Sequence, residues 1–167
     1  MEVTIEITQF CENECSYCSS NATTFGKHLE FDVIKNFLED QKEVTRVNIS
    51  GGEPLAHPDF YKIYKLCKDK SFDVRVYTNL LEHIMFNADI ISEIKTEANM
   101  VVIPGDTVTI PKADHIHFLK LQSCGRAKDI IDNTKISSSG SNCESCEHIL
   151  LQADRKVRSA PCCKSYE

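Results

Sequence analysis

The chain has 167 residues, of which 41% are hydrophobic and 26% are charged, and its formal net charge is −6. These values are typical of a globular protein with one domain, or one domain and a small appendage, and the acidic balance argues against a nucleic-acid partner. The sequence has no apolar run of about eighteen residues and no signal-peptide pattern, so we expect no membrane span and a cytoplasmic location.

The predicted elements begin with a strand in which Val3, Ile5 and Ile7 alternate with polar residues. Apolar residues at helical spacing then predict a helix over 31–42. A second strand follows over 44–50. We expect the next helix to run from Pro58 to about residue 69, because proline is favoured at the first helical position.

The remaining elements continue the alternation of strands and helices. Strands are predicted over 72–78, 99–103 and 115–121, with a helix near 81–91 and a short strand near 108–110. This order predicts parallel strands joined by right-handed crossovers. Residues 104–113 leave no room for a full helix. We therefore expect an α/β fold, a shortened and open partial (β/α) barrel of about five to six mostly parallel strands.

Nine cysteines are the unusual feature of the composition. Without a secretory signal, this count favours metal binding over a disulfide framework. Cys67 stands apart, in line with Phe60, Ile63 and Tyr64 at helical spacing, and we predict that its thiol is buried in the core. The others form groups along the chain: Cys11, Cys15 and Cys18; Cys124; Cys143 and Cys146; Cys162 and Cys163.

The first cysteine group follows the first strand directly. Cys11, Cys15 and Cys18 can direct three sulfurs at one four-iron cluster and leave its fourth iron open. A zinc site would need a fourth ligand nearby, and His28 is ten residues farther on. The spacing alone leaves three hypotheses open for these cysteines: they ligate an iron–sulfur cluster, they bind a zinc ion, or they are unligated thiols.

The second strand ends in Gly51-Gly52-Glu53-Pro54. Parallel α/β folds bind ligands at the carboxyl ends of their strands, and glycines there allow a ligand to approach the backbone. The Glu53 carboxylate could receive an ammonium group. A plain glycine-rich turn before a helix is the other reading.

Taken together, Cys11-x3-Cys15-x2-Cys18, with Tyr17 before the last cysteine, and the glycine motif at the next strand end resemble the radical S-adenosylmethionine (SAM) superfamily. The resemblance covers residues 1–123 as a truncated core. It implies that the three cysteines ligate a [4Fe-4S] cluster whose open iron is chelated by SAM. The SAM-binding residues that it implies are Tyr17, Gly51, Gly52, Glu53, Thr78 and Asn79.

The family's chemistry supplies the expected reaction. An electron from a donor such as flavodoxin or ferredoxin enters the cluster, and SAM is cleaved to methionine and a 5′-deoxyadenosyl radical that takes hydrogen from a substrate. One departure is Leu80, which stands where the family's Thr-Asn-Gly turn has glycine. The match at Thr78 and Asn79 is weaker for that reason.

The C-terminal cysteines predict a second metal site, which spacing alone assigns to neither zinc nor iron–sulfur. They flank a predicted hairpin over 149–153 and 157–159. Beside a radical SAM core, residues 124–167 resemble a twitch or SPASM extension, which implies one auxiliary [4Fe-4S] cluster. Its implied ligands are Cys124, Cys143, Cys146 and one of Cys162 and Cys163.

The resemblance to twitch and SPASM extensions implies radical modification of a peptide or protein with the help of the auxiliary cluster, as in the maturation of ribosomal peptides. A truncated barrel, which leaves a wide opening, also suits such a bulky substrate. The alternatives are a glycyl-radical-enzyme activase and a radical SAM enzyme that acts on a small molecule or nucleoside. A zinc or iron–sulfur binding module without catalysis is the alternative from another class.

Overall fold

The computed structural model describes residues 1–18, 20–78, 97–101, 115–119 and 149–159, and these contain seven strands and two helices. In chain order they are β1 (Glu2–Thr8), α1 (Phe31–Asp40), β2 (Arg46–Gly51), α2 (Phe60–Asp69), β3 (Asp73–Val76), β4 (Glu97–Val101), β5 (His115–Leu119), β6 (Ile149–Leu151) and β7 (Val157–Ser159). A 3-10 turn, Pro54–Ala56, lies between β2 and α2. None of the helices described is long and apolar enough to cross a membrane.

Five strands form one open sheet in the order β3-β2-β1-β6-β7. The pairs β1–β2, β2–β3 and β1–β6 are parallel, and β6–β7 is antiparallel. Strands β4 and β5 form a separate parallel pair. The prediction of a mixed α/β fold with a mostly parallel, open sheet is confirmed for these residues, and the arrangement is consistent with a partial barrel.

The core lies between one face of the sheet and the two helices. The apolar residues of β1 and β2 are fully buried against apolar residues of α1 and α2, as their period-two and helical spacings predict. Each such side chain contributes about 1.5–3 kcal/mol by leaving water. Cys67 belongs to this core, as predicted, and burial raises the pKa of its thiol to about 12.

Helix α2 begins two residues later than predicted. Pro58 precedes it, and Asp59 is its N-cap residue. The backbone N–H of Asp59 donates to Nδ1 of His57 at 3.0 Å, and the N–H of Phe60 donates to the carbonyl of His57 at 3.0 Å. The buried His57 thus forms the turn before the helix, which the proline rule could not anticipate.

The predicted C-terminal hairpin is present, with β6 shorter than expected. Strand β6 pairs with the edge of β1 that faces away from β2. The hairpin therefore lies in the same sheet as the strand that leads to the first cysteines. Leu150 and Leu151 are each only 1% exposed. At the hairpin turn, Arg155 forms an ion pair with Glu30, the N-cap residue of α1.

Several predictions fall outside the described residues. They are the helix near 81–91, the strand near 108–110, Asn79, and the C-terminal cysteines Cys124, Cys143, Cys146, Cys162 and Cys163. The division of the chain at residue 123 also stays a prediction.

Candidate functional site

The cysteine loop, residues 9–28, joins β1 to α1 and is closed at its base by backbone hydrogen bonds. The N–H of Gln9 donates to the Lys27 carbonyl at 2.9 Å. Thr23 donates to the Gln9 carbonyl at 3.1 Å, and Cys11 donates to the Thr23 carbonyl at 3.0 Å. These hydrogen bonds fix the backbone of Cys11 relative to the end of β1.

The three predicted cysteines lie on this one loop as half-buried thiols. The N–H of Cys18 donates to the carbonyl of Cys15 at 3.1 Å, which closes a tight turn around Tyr17. In the described part of the chain, no three His, Cys, Asp or Glu side chains are arranged to hold a single metal ion. A four-iron cluster makes a different demand, because each cysteine binds a different iron.

The electrostatics around Cys11 link the loop to the glycine motif. Burial raises the pKa of the Cys11 thiol, and a backbone hydrogen bond from Asn13 partly opposes this. Negative charge on Cys15, Glu53 and Cys18 raises the pKa further. Cys11 therefore lies within electrostatic range of the other two cysteines and of Glu53, which fits a site for a group that carries positive charge.

The glycines at the end of β2 are required by the cysteine loop itself. A Cβ on Gly51, whose φ is +137°, would lie 2.2 Å from the Thr8 carbonyl oxygen, and one on Gly52 would lie 2.1 Å from that of Phe10. The N–H groups of Gly52 and Glu53 donate to those same two oxygens, each at 2.7 Å. These two hydrogen bonds hold the end of β2 against Thr8 and Phe10, where the cysteine loop begins.

Glu53 is 3% exposed, and its carboxylate is held by two donors. Its Oε1 accepts from the Leu55 N–H at 3.0 Å and from the Thr78 hydroxyl at 2.6 Å. The structure therefore joins two residues that the sequence pattern predicted separately. An ionised carboxylate only accepts hydrogen bonds, so a carboxylate at this position suits a ligand that carries an ammonium group.

Three polar residues at the base of the cysteine loop, Thr8, His28 and His57, were not predicted as part of the site. The Thr8 hydroxyl accepts from the Phe10 N–H at 2.9 Å and lies 2.9 Å from Nδ1 of His28. The His28 ring meets the ring of His57 edge-on at 5.0 Å, and Nε2 of His57 lies 2.8 Å from the Leu29 carbonyl. Sequence spacing carries no signal for this cluster, because its members come from three different segments.

The sheet face opposite the core is polar and includes the buried side chain of Asn48. Asn48 is 3% exposed, and its Nδ2 donates to Glu2 at 2.7 Å and to Thr4 at 3.2 Å. A carboxylate only accepts, which fixes the orientation of the amide. Its Oδ1 is buried and has no hydrogen-bond partner within the described part of the chain.

Comparison with known protein families gives a match over most of this region. The pattern of the Radical SAM superfamily matches residues 5–109, which include the three cysteines and the glycine motif. This range is more than half of the chain.

Curated relatives agree with this match. An S-adenosylmethionine-dependent nucleotide dehydratase of Selenomonas ruminantium is 27% identical over 142 residues, covering 81% of this chain and 48% of the relative. The PqqA peptide cyclase of Bradyrhizobium diazoefficiens is 38% identical over 85 residues, covering 48% of this chain and 21% of the relative. A Methanocaldococcus jannaschii protein, provisionally named a glycyl-radical enzyme activating enzyme, is 28% identical over 75 residues, covering 44% of this chain and 29% of the relative.

The chain spans about half the length of the first of these relatives and less of the other two. The family match contains the loop with three neighbouring thiols and the strand end that fastens it. The family implies a [4Fe-4S] cluster used with SAM. This chain belongs to the radical SAM superfamily of enzymes.

Proposed function

We propose that this chain is a radical SAM enzyme in which Cys11, Cys15 and Cys18 ligate a [4Fe-4S] cluster. When bound, the cluster supplies one electron for the reductive cleavage of SAM to a 5′-deoxyadenosyl radical, which abstracts hydrogen from the substrate. The observation that carries the proposal is the set of three half-buried thiols on a loop whose Phe10 carbonyl accepts the Glu53 N–H, inside the family match. The residues present fit the cluster, because thiolates are its ordinary ligands.

The chain's own contribution at the SAM side is to hold a carboxylate in place. The Leu55 N–H and the Thr78 hydroxyl orient Glu53, and Gly51 and Gly52 hold this strand end against the loop. Burial strengthens the attraction between a carboxylate and an ammonium group because water no longer screens it. Glu53, with the carbonyls of the two glycines, would bind the SAM ammonium, and Tyr17 would lie near the adenine.

We infer a peptide or protein as the substrate. Of the three relatives compared above, the one with the highest identity, 38% over 85 residues, is named a peptide cyclase. The sheet face opposite the core also offers Oδ1 of Asn48, which has no partner among the described residues and which a backbone N–H of a peptide could satisfy. Two other functions have support from relatives, a nucleotide-directed enzyme and a glycyl-radical-enzyme activase.

We further propose one auxiliary [4Fe-4S] cluster, held by Cys124, Cys143, Cys146 and one of Cys162 and Cys163. Cys146 precedes Ile149 by three residues, and Cys162 follows Ser159 by three. Ile149 and Ser159 are paired across the hairpin, and three residues span at most about 10 Å. Covalent reach therefore supports a shared site near the open end of the hairpin.

Anaerobic reconstitution with iron and sulfide tests the proposal. With dithionite and SAM, we expect 5′-deoxyadenosine from the wild-type chain and none from Cys15→Ala. A fully loaded wild-type chain that forms no 5′-deoxyadenosine would contradict the catalytic reading. Deuterium transfer from a labelled peptide into 5′-deoxyadenosine would support the peptide substrate. Transfer from a labelled nucleotide, or a glycyl-radical signal on a large partner, would favour an alternative.

A further inference from the structure

We propose that the hydroxyl of Ser20 donates a hydrogen bond to the cluster-ligating sulfur of Cys18 and so raises the reduction potential of the [4Fe-4S] cluster. This inference rests on the proposed function, because it assumes that Cys18 is an iron ligand. It assigns Ser20 a role as a positioning and tuning residue next to the redox centre.

The first observation is a contact within the cysteine loop. The Oγ of Ser20 lies 3.4 Å from the Sγ of Cys18, within hydrogen-bonding distance for sulfur. Either atom could donate while Cys18 is a thiol. An iron-bound thiolate carries no proton, so only the Ser20 hydroxyl can then be the donor.

The second observation is that the residues after Ser20 are held by the scaffold. Asn21 has a φ of +54°, which turns the chain sharply. Ala22 is 1% exposed, and its Cβ would be 3.1 Å from a Cβ on Gly52. Thr23 donates to the Gln9 carbonyl. The return of the loop is therefore fastened to β1 and β2, which limits how far the Ser20 hydroxyl can move from the sulfur.

The direction of the effect follows from charge. Reduction adds one electron to the cluster, and part of the added negative charge falls on the ligating sulfurs. A donor aimed at such a sulfur stabilises the reduced form more than the oxidised form. Hydrogen bonds to sulfur are one of the means by which proteins set these potentials. Both Cys18 and Ser20 are partly buried, so water screens this interaction incompletely.

The test compares two variants that differ only in the hydroxyl. Ser20→Thr keeps the hydroxyl, and Ser20→Val replaces it with a methyl group of similar size. Thr24→Val, at an exposed position in the same loop, is the control. Each reconstituted full-length chain is poised anaerobically at a series of potentials, and the reduced cluster is measured by EPR. The signal that changes when SAM is added identifies the cluster of the first three cysteines.

We expect Ser20→Val to lower the ratio of reduced to oxidised cluster about tenfold at a given potential, a shift of about 59 mV for one electron. Ser20→Thr and Thr24→Val should match the wild-type chain. A fully loaded Ser20→Val chain with the wild-type potential would overturn the role of Ser20 and leave the proposed function standing. A wild-type chain that binds no cluster through Cys11, Cys15 and Cys18 would overturn both.

A second measurement covers the case in which Ser20→Val does not fold. Ser20→Ala removes the hydroxyl without adding bulk. In D2O, pulsed EPR of the reduced cluster should detect a strongly coupled exchangeable deuteron in the wild-type chain and in Ser20→Thr. Ser20→Ala should lack it. The same deuteron coupling in Ser20→Ala as in the wild-type chain would contradict the hydrogen bond.

Discussion

Gly52 shows how one residue connects the strand end to the cysteine loop. The space that its side chain would fill is taken by the Phe10 carbonyl, whose oxygen also accepts the N–H of Glu53. The same contact therefore places the Glu53 backbone and the start of the loop. A change at this residue should affect stability and cluster binding together.

We predict that Gly52→Ala destabilises the chain by about 1–3 kcal/mol, because backbone must move to admit the methyl group. Urea unfolding measures this, and iron content after reconstitution should fall with it. Ser50→Ala, which makes a side chain smaller two residues earlier on β2, should change both far less. If Gly52→Ala keeps the stability and iron content of the wild-type chain, the close contact between Gly52 and the Phe10 carbonyl does not exist as described.

Thr78 offers a test of how Glu53 is held. Thr78→Val removes the hydroxyl that donates to the Glu53 carboxylate but keeps the shape of the side chain. We expect it to weaken SAM binding by about 1.5–3 kcal/mol, the range for a hydrogen bond to a charged group. Thr78→Ser should bind SAM nearly as the wild-type chain does. Calorimetry on the reconstituted chain gives both affinities, and equal values for Thr78→Val and Thr78→Ser would contradict this role.

The lowered pKa of the buried His57 leads to a prediction of how the free energy of unfolding depends on pH. Burial, with a smaller effect of the neighbouring His28, lowers its pKa from the usual 6.5, while the Leu29 carbonyl and Asp59 oppose the shift. The unfolded chain then takes up a proton first as pH falls, so stability present above pH 6.5 is lost as pH falls through the folded pKa. The free energy of unfolding in urea should fall from pH 7.5 to 5.5, and His57→Gln should flatten this dependence. An equally steep fall in His57→Gln would mean that other groups cause the pH dependence.

At the scale of elements, the hairpin β6–β7 supports the strand that begins the site. Strand β1 has β2 on one side and β6 on the other, so neither of its edges is open along the paired residues. Leu151 joins the hydrophobic core, whereas Val157 on β7 is 56% exposed. The hairpin is therefore part of the packing that holds β1.

We predict that Leu151→Ala costs about 2–5 kcal/mol of stability, as expected for a buried leucine. Val157→Ala should stay within about 0.5 kcal/mol of the wild-type chain, because its side chain remains largely in water. Urea unfolding compares the two. Equal, small effects would mean that the hairpin is not packed on β1 in solution.

At the scale of the whole molecule, iron content separates one cluster from two. We expect about eight irons per wild-type chain and about four after Cys143→Ala with Cys146→Ala, since each [4Fe-4S] cluster holds four. SAM binding should survive that change. Cys67→Ala, which removes a core thiol outside the cysteine groups, should keep the iron content. A wild-type chain with four irons and bound zinc would overturn the auxiliary cluster and leave the first cluster in place.

Sequence periodicity by itself predicted several of the described elements and the mixed α/β class of the fold. Alternating apolar residues predicted β1, and helical spacing predicted α1, α2 and the burial of Cys67, because burial on one face imposes a regular repeat. The cysteine and glycine spacings also indicated the superfamily that the comparison then matched. These features are local, so a single stretch of sequence contains them.

The tertiary structure decided what meets across the chain. No local pattern predicts that β6 pairs with β1 or that the Thr78 hydroxyl donates to Glu53. Nor does any local pattern predict that the carbonyls of Thr8 and Phe10 occupy the space beside Gly51 and Gly52. Even the start of α2 depended on His57, a buried residue whose ring reaches Leu29. Such contacts join residues far apart in sequence, and they form because packing and hydrogen-bond satisfaction are properties of the folded chain.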